Sequence, residues 1–110
     1  MYKLKISPEA KNDLVEIKSY ISQELCNPQV ATNMVSKITE KIRGLLEHPG
    51  IGSPLSSVVD IQTDYRFLIC ANYLIFYRYE DETVFVLRIL YSRRDYIHIL
   101  FGDLPENQEK

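Results

Sequence analysis

The chain has no tryptophan, only two cysteines, two histidines and four glycines in 110 residues. Each shortage removes a class of protein. Cys26 and Cys70 match no metal-ligand spacing and could form one disulfide at most. Nothing signals secretion, so they read as two reduced thiols in a cytoplasmic protein. His48 and His98 lie far apart, with no acidic partner pattern, so no metal site is expected. No Gly-rich phosphate loop and no nucleophile motif occurs, and no cofactor is implied. No segment approaches the roughly 20 apolar residues of a membrane span, and Met1–Ile6 lacks the apolar run of a signal peptide. A strong charge of either sign is missing too. Net charge is −2 and the pI about 5.7, whereas a chain that binds nucleic acid by charge alone is usually basic.

What remains is an ordinary globular composition, 45% hydrophobic and 25% charged, long enough for one core. A single domain over residues 1–102 and a polar, frayed tail over 103–110 are expected. Eight tyrosines stand against four phenylalanines. Tyrosine suits surfaces that are half buried and half wet, so a contact surface is expected.

Tyr2, Leu4 and Ile6 alternate with lysines, as in a short strand with one wet face. Ser7-Pro8-Glu9 then opens a helix by capping, proline placement and dipole. Its apolar stripe runs Ala10, Leu14, Ile17, Ile21, Leu25, with Lys11, Asp13, Glu16 and Lys18 outside. Asn27-Pro28 repeats the punctuation, and a second stripe runs from Val30/Ala31 to Leu45/Leu46. The short link predicts an antiparallel helix hairpin. His48-Pro49-Gly50-Ile51-Gly52-Ser53-Pro54 ends it in a loop, with His48 a helix-end residue. Residues 55–63 show no clear period. Strands follow at about 65–70, 73–80 and 83–91, joined by turns at Ala71-Asn72, where Asn tolerates positive φ, and Asp81-Glu82. One helical turn closes the chain around Tyr96–Phe101. The order β-α-α-β-β-β defines an α+β fold with the helices on one face of a three-stranded antiparallel meander.

Two-residue turns pair Arg66 with Tyr77, Tyr77 with Val86, and Ile75 with both Leu68 and Arg88. One face then holds Phe67, Ile69, Leu74, Phe76, Phe85, Leu87 and Ile89, with Arg78 near its end. It is almost wholly apolar and is expected under the helices. The other holds Arg66, Leu68, Tyr73, Ile75, Tyr77, Tyr79, Val84, Val86 and Arg88, and is expected to be open for a partner. A slip of one residue would invert part of this.

These segments in this order resemble the RelE/ParE superfamily of bacterial toxins from type II toxin–antitoxin modules. The likeness rests on Ser7-Pro8-Glu9-Ala10, the loop from Leu46 to Leu55, Tyr65-Arg66, Tyr73 to Arg78, and Val86 to Tyr96, and spans about residues 2–101. It implies the same α+β fold and a small antitoxin partner that wraps the toxin; operator DNA would be met only through that antitoxin. Two targets are implied. RelE-like members cut mRNA in the ribosome by activating the ribose 2′-OH without a metal. ParE-like members inhibit DNA gyrase. A member that keeps only antitoxin binding and operon repression is a third reading.

Cleavage by 2′-OH attack needs a proton acceptor, a donor to the leaving oxygen and positive charge on the phosphate. Arg66, Arg88, Tyr96 and His98 are the candidate catalytic set if the chain is a nuclease. Arg66, Tyr77, Tyr79, Arg88, Arg93, Arg94 and Tyr96 are the candidate target- or antitoxin-binding set. Arg93-Arg94 is the one dense cationic spot and reads as the rim of the open face. RelE-related enzymes are strongly basic before the Tyr-Arg pair. Here residues 49–65 hold no Lys or Arg, and residues 64–101 hold five arginines against five acids. Phosphate contacts would be poorly supported, which favours the ParE-like reading.

Overall fold

The computed structural model describes residues 2–102; Met1 and the expected tail 103–110 lie outside the described residues. Strand β1 (Lys3–Ile6) leads into α1 (Pro8–Glu24), which is capped as its sequence predicts: Ser7 Oγ accepts from the Ala10 N–H at 2.9 Å. Asn27 does the same for α2 (Pro28–Gly44), accepting from the Val30 N–H at 3.2 Å. A 3₁₀ turn (Pro49–Ile51) and the two-residue strand β2 (Ser53–Pro54) lie within the expected loop, and a second 3₁₀ turn (Leu55–Ser57) opens the stretch that shows no clear period. Then come β3 (Arg66–Cys70), β4 (Tyr73–Glu80), β5 (Thr83–Tyr91) and the short helix α3 (Tyr96–Phe101).

The expected meander is the middle of a five-stranded mixed sheet in the order β1-β5-β4-β3-β2. Strand β1 lies parallel to β5, and every other pair is antiparallel. The hairpin β3–β4 has the expected register, Arg66 opposite Tyr77 and Cys70 opposite Tyr73. Positive φ at its turn falls on Ala71 (55°), not Asn72. The β4–β5 register starts as expected, Glu80 opposite Thr83 and Tyr77 opposite Val86, and then breaks. A bulge sets Phe76 opposite Arg88, so Ile75 faces Ile89 rather than Arg88.

The face assignment is inverted. The helices cover Tyr77, Ile75, Val84, Val86 and Ile89, with Leu68, Tyr73 and Tyr79 packed at the margin. Of the residues expected beneath them, only Ile89 is there, brought round by the bulge. The opposite face is also covered. Leu55, Phe76 and Leu90 are buried under α3 and the chain before β3, where Tyr65 stacks on Phe101 at 5.4 Å and Tyr96 meets Phe76 at 5.2 Å. With both faces closed, relative apolarity cannot say which one meets the helices. Arg78 lies beside Phe85, 5.2 Å above its ring, and pairs with Asp64 at 3.0 Å and with Glu80.

Cys26 is exposed, Cys70 is buried, and both are free thiols. No helix among the described residues is long and apolar enough to cross a membrane.

Candidate functional site

Three polar arrangements use the residues singled out by sequence. The first is a locked loop. The Tyr77 side chain has no exposed surface. Its hydroxyl donates to the Pro49 carbonyl at 2.6 Å and accepts from the Gly52 N–H at 2.9 Å. Beside it Arg66 donates from Nε and Nη2 to the Gly52 carbonyl, at 3.1 and 2.7 Å, and from Nη2 to the Gly50 carbonyl at 3.0 Å. The Tyr-Arg cross-strand pair therefore grips the Pro49–Gly52 turn. Tyr79 stands next to it, half-buried, edge-on to Tyr2 at 6.0 Å.

Burial pushes the Tyr77 phenol above its usual range, against the lowering effects of the Gly52 N–H and Arg66. Burial also raises Tyr73, helped by nearby Tyr20 and Tyr91. A folded state that holds these protons more tightly is stabilised below the unfolded tyrosine pKa of about 10 and loses that stabilisation as pH rises through the folded values. Thermal melts from about pH 9 to about pH 12 should therefore show falling stability, and Tyr77→Phe should make the fall shallower. At neutral pH the same variant orphans two backbone groups and should cost about 2 kcal/mol by urea denaturation.

The second arrangement is the Arg88–Asp13 pair. Arg88 donates to both carboxylate oxygens of Asp13, at 2.8 and 2.9 Å, and the Ile89 N–H donates to the same carboxylate at 2.9 Å. Asp13 is 4% exposed, not on the outer side of α1 where sequence reading placed it. Its position three residues after Ala10 and four before Ile17 puts it on the apolar stripe, a signal that was there to be used. The bond to Asp13 raises the Arg88 pKa further, with burial opposing. The pair closes the edge of β5: β1 ends opposite Val86, and beyond it Ser7 takes the Leu87 carbonyl and Asp13 the Ile89 N–H.

The third arrangement is the rim. Arg93 and Arg94 are exposed in the turn after β5. Tyr96 is half-buried on Phe76, on the face away from the helices. His98 is exposed on α3, and its backbone N–H goes to the capping carboxylate of Asp95 at 3.3 Å. Arg66 and Tyr77 thus share one task on the loop. Arg88 is turned to α1, and Tyr96 lies across the sheet. The four candidate catalytic residues are not gathered round one point. Among the described residues no group of three or more His, Cys, Asp or Glu could hold a metal.

One feature escaped the sequence reading. A groove of about 760 Å³ opens between the hairpin end of α1 and α2 and the far ends of β4 and β5. Tyr20, Leu25, Val30 and Tyr91 line it at 56, 58, 42 and 42% exposure. Leu25 and Val30 had been counted into the core stripes. The stripes run on past the core, because no segment among the described residues covers the hairpin end.

A β-α-α-β-β-β-β-α chain whose Tyr-Arg pair grips a Pro-Gly turn, with arginines after the last strand, is a toxin of the RelE/ParE superfamily. The family model for the ParE toxin of the type II toxin–antitoxin system parDE matches residues 4–96, and the chain belongs to that family. Among solved structures it is similar to a chain of the chromosomal ParDE toxin–antitoxin system from Pseudomonas aeruginosa. The identity is 25%, the TM-score 0.69, and 83% of this chain and 96% of that one are covered. Its fold also matches chains of the RelBE2 toxin–antitoxin complex from Mycobacterium tuberculosis (20% identity, TM-score 0.58, 82% and 96% covered) and of the Escherichia coli RelE toxin (18%, 0.54, 90% and 93%). No curated protein matches the chain.

Proposed function

We propose that this ParE-family toxin stops growth by binding an essential protein target, DNA gyrase before any other, and is neutralised by an antitoxin encoded beside it. The observation that carries the reading is the commitment of the arginines. Arg66 is spent on the carbonyls of Gly50 and Gly52, and Arg88 on Asp13. Tyr77, which pairs with Arg66, is sealed in the core. A nuclease would need such cations free to face a phosphate and proton-transfer groups beside them. The even balance of arginines and acids over residues 64–101 argues the same way. Arg93 and Arg94 remain outward and suit protein contacts.

Controlled expression with pulse labelling tests this in cells. Thymidine incorporation should fall before methionine incorporation, and co-expression of the neighbouring gene product should restore both. Methionine incorporation collapsing first would point to mRNA cleavage on the ribosome. Unimpeded growth would point to a member that keeps only antitoxin binding and operon repression.

A further inference from the structure

We infer that Ile51, held out at the tip of the Pro49–Gly52 turn, is the anchor by which the toxin docks on its protein target, in an apolar pocket with a basic rim. This rests on the target reading above. An exposed apolar side chain is ordinary by itself. Val15, 65% exposed on α1, is one. Ile51, at 66%, differs in its mounting. Tyr77 makes two hydrogen bonds to its turn and Arg66 three. The Ile51 N–H closes the turn on the His48 carbonyl at 3.1 Å. Tyr77 needs these partners, because its side chain is buried. Arg66 does not. It is half-buried, and water could take its guanidinium. Instead it is fixed on the Gly50 and Gly52 carbonyls, at a cost in side-chain entropy. The core does not require those bonds; a fixed position for Ile51 does.

A fixed turn suits an anchor. Ordering a loop on binding lowers affinity, and a residue already in place avoids that loss. An aliphatic side chain seated in a pocket makes a good centre for a protein contact. Charge defines the rim. Residues 47–65 hold Glu47, Asp60 and Asp64 and no Lys or Arg. Beside the turn a hollow of about 320 Å³ is lined by Pro54, Asp64, Arg66 and Tyr79, and the Asp64 side chain is 63% exposed. Such a surface repels an acidic partner and draws a basic one. An enzyme that handles DNA carries basic surface for the phosphates, so the proposed target supplies the rim. Arg66 is then a positioning residue that acts through Ile51.

The test measures binding of the purified full chain to purified DNA gyrase by calorimetry, each variant well below its melting temperature. Ile51→Glu should weaken binding about 100-fold and Glu47→Lys about 10-fold, while Ile51→Leu stays within about threefold of the parent. Val15→Glu, the equally exposed site on α1, should bind as the parent does. Ile51 and Val15 are both exposed, so their variants should melt at the parent temperature. Arg66→Gln should weaken binding about 10-fold in the parent and less than about twofold in an Ile51→Ala background. Equal losses in both backgrounds would show that Arg66 meets the target itself and would overturn its positioning role. Parent-like binding by Ile51→Glu overturns the inference and leaves the target reading standing. So does a loss confined to antitoxin affinity, which would give the turn to that partner. If the parent chain does not bind gyrase at all, the target reading falls and the inference with it.

Discussion

Asp13→Ala is expected to cost about 3 kcal/mol of folding stability, read from the urea midpoint at constant slope. The carboxylate is 4% exposed and accepts three hydrogen bonds, two from Arg88 and one from the Ile89 N–H. Its removal leaves a cation and an N–H at the α1–β5 junction without their partner, and breaking such a pair from one side is the costly case. The value sits at the low end of the usual range because the Arg88 side chain, 24% exposed, can turn to water. The double variant Asp13→Ala/Arg88→Ala should cost little more than Asp13→Ala alone, because the two residues stabilise the fold as a unit. Equal, additive losses would show that each contributes independently. Arg88 itself adds no pH dependence near neutrality. Its pKa is raised from an already high value, so its contribution is complete below the unfolded value and fades only in strong alkali.

Gly52→Ala is expected to cost about 3 kcal/mol, the upper part of the overpacking range. The reason is space rather than backbone freedom, since Gly52 has φ −74° and ψ 165°, which any residue adopts. A Cβ there would lie 2.6 Å from the Phe67 carbonyl oxygen and 2.7 Å from the Tyr77 hydroxyl. One is main chain in β3, and the other is the buried hydroxyl that holds the loop, so neither yields without breaking bonds. Gly44, at the end of α2, has nothing within 4 Å of such an atom. Gly44→Ala should instead raise stability by about 0.5 kcal/mol. Thermal melts of the two variants side by side check the contrast. Two alanines of equal effect would contradict the steric account of the loop.

The fold was readable because local signals agreed with one another. Ser7-Pro8 and Asn27-Pro28 start their helices where capping chemistry puts them, and the two-residue turn at Ala71-Asn72 sets the β3–β4 register pair by pair. Long-range facts were less legible. Which sheet face meets the helices depended on α3, Tyr65 and residues 55–63, a stretch without clear periodicity, which together close the other face. The bulge that moves Ile89 to the helix side arises where β1 ends and α1 takes over the β5 edge, a junction of segments about 80 residues apart in sequence. Tyr77 looked like a contact residue because tyrosine often serves wet surfaces. Here the wet end of the ring is supplied by loop backbone groups. Arg66 spends its guanidinium on the carbonyls of Gly50 and Gly52, two and four residues beyond the helix-ending His48, a long-range contact that no local pattern announces. The groove was hidden for the opposite reason: Leu25 and Val30 fit the helical period perfectly, and periodicity says nothing about where a core stops.

The most direct test of the proposed action gives the purified chain to two systems in parallel, a DNA gyrase supercoiling reaction and ribosomes programmed with mRNA. Loss of supercoiling with intact mRNA is the predicted result. Cut mRNA with untouched supercoiling would contradict it.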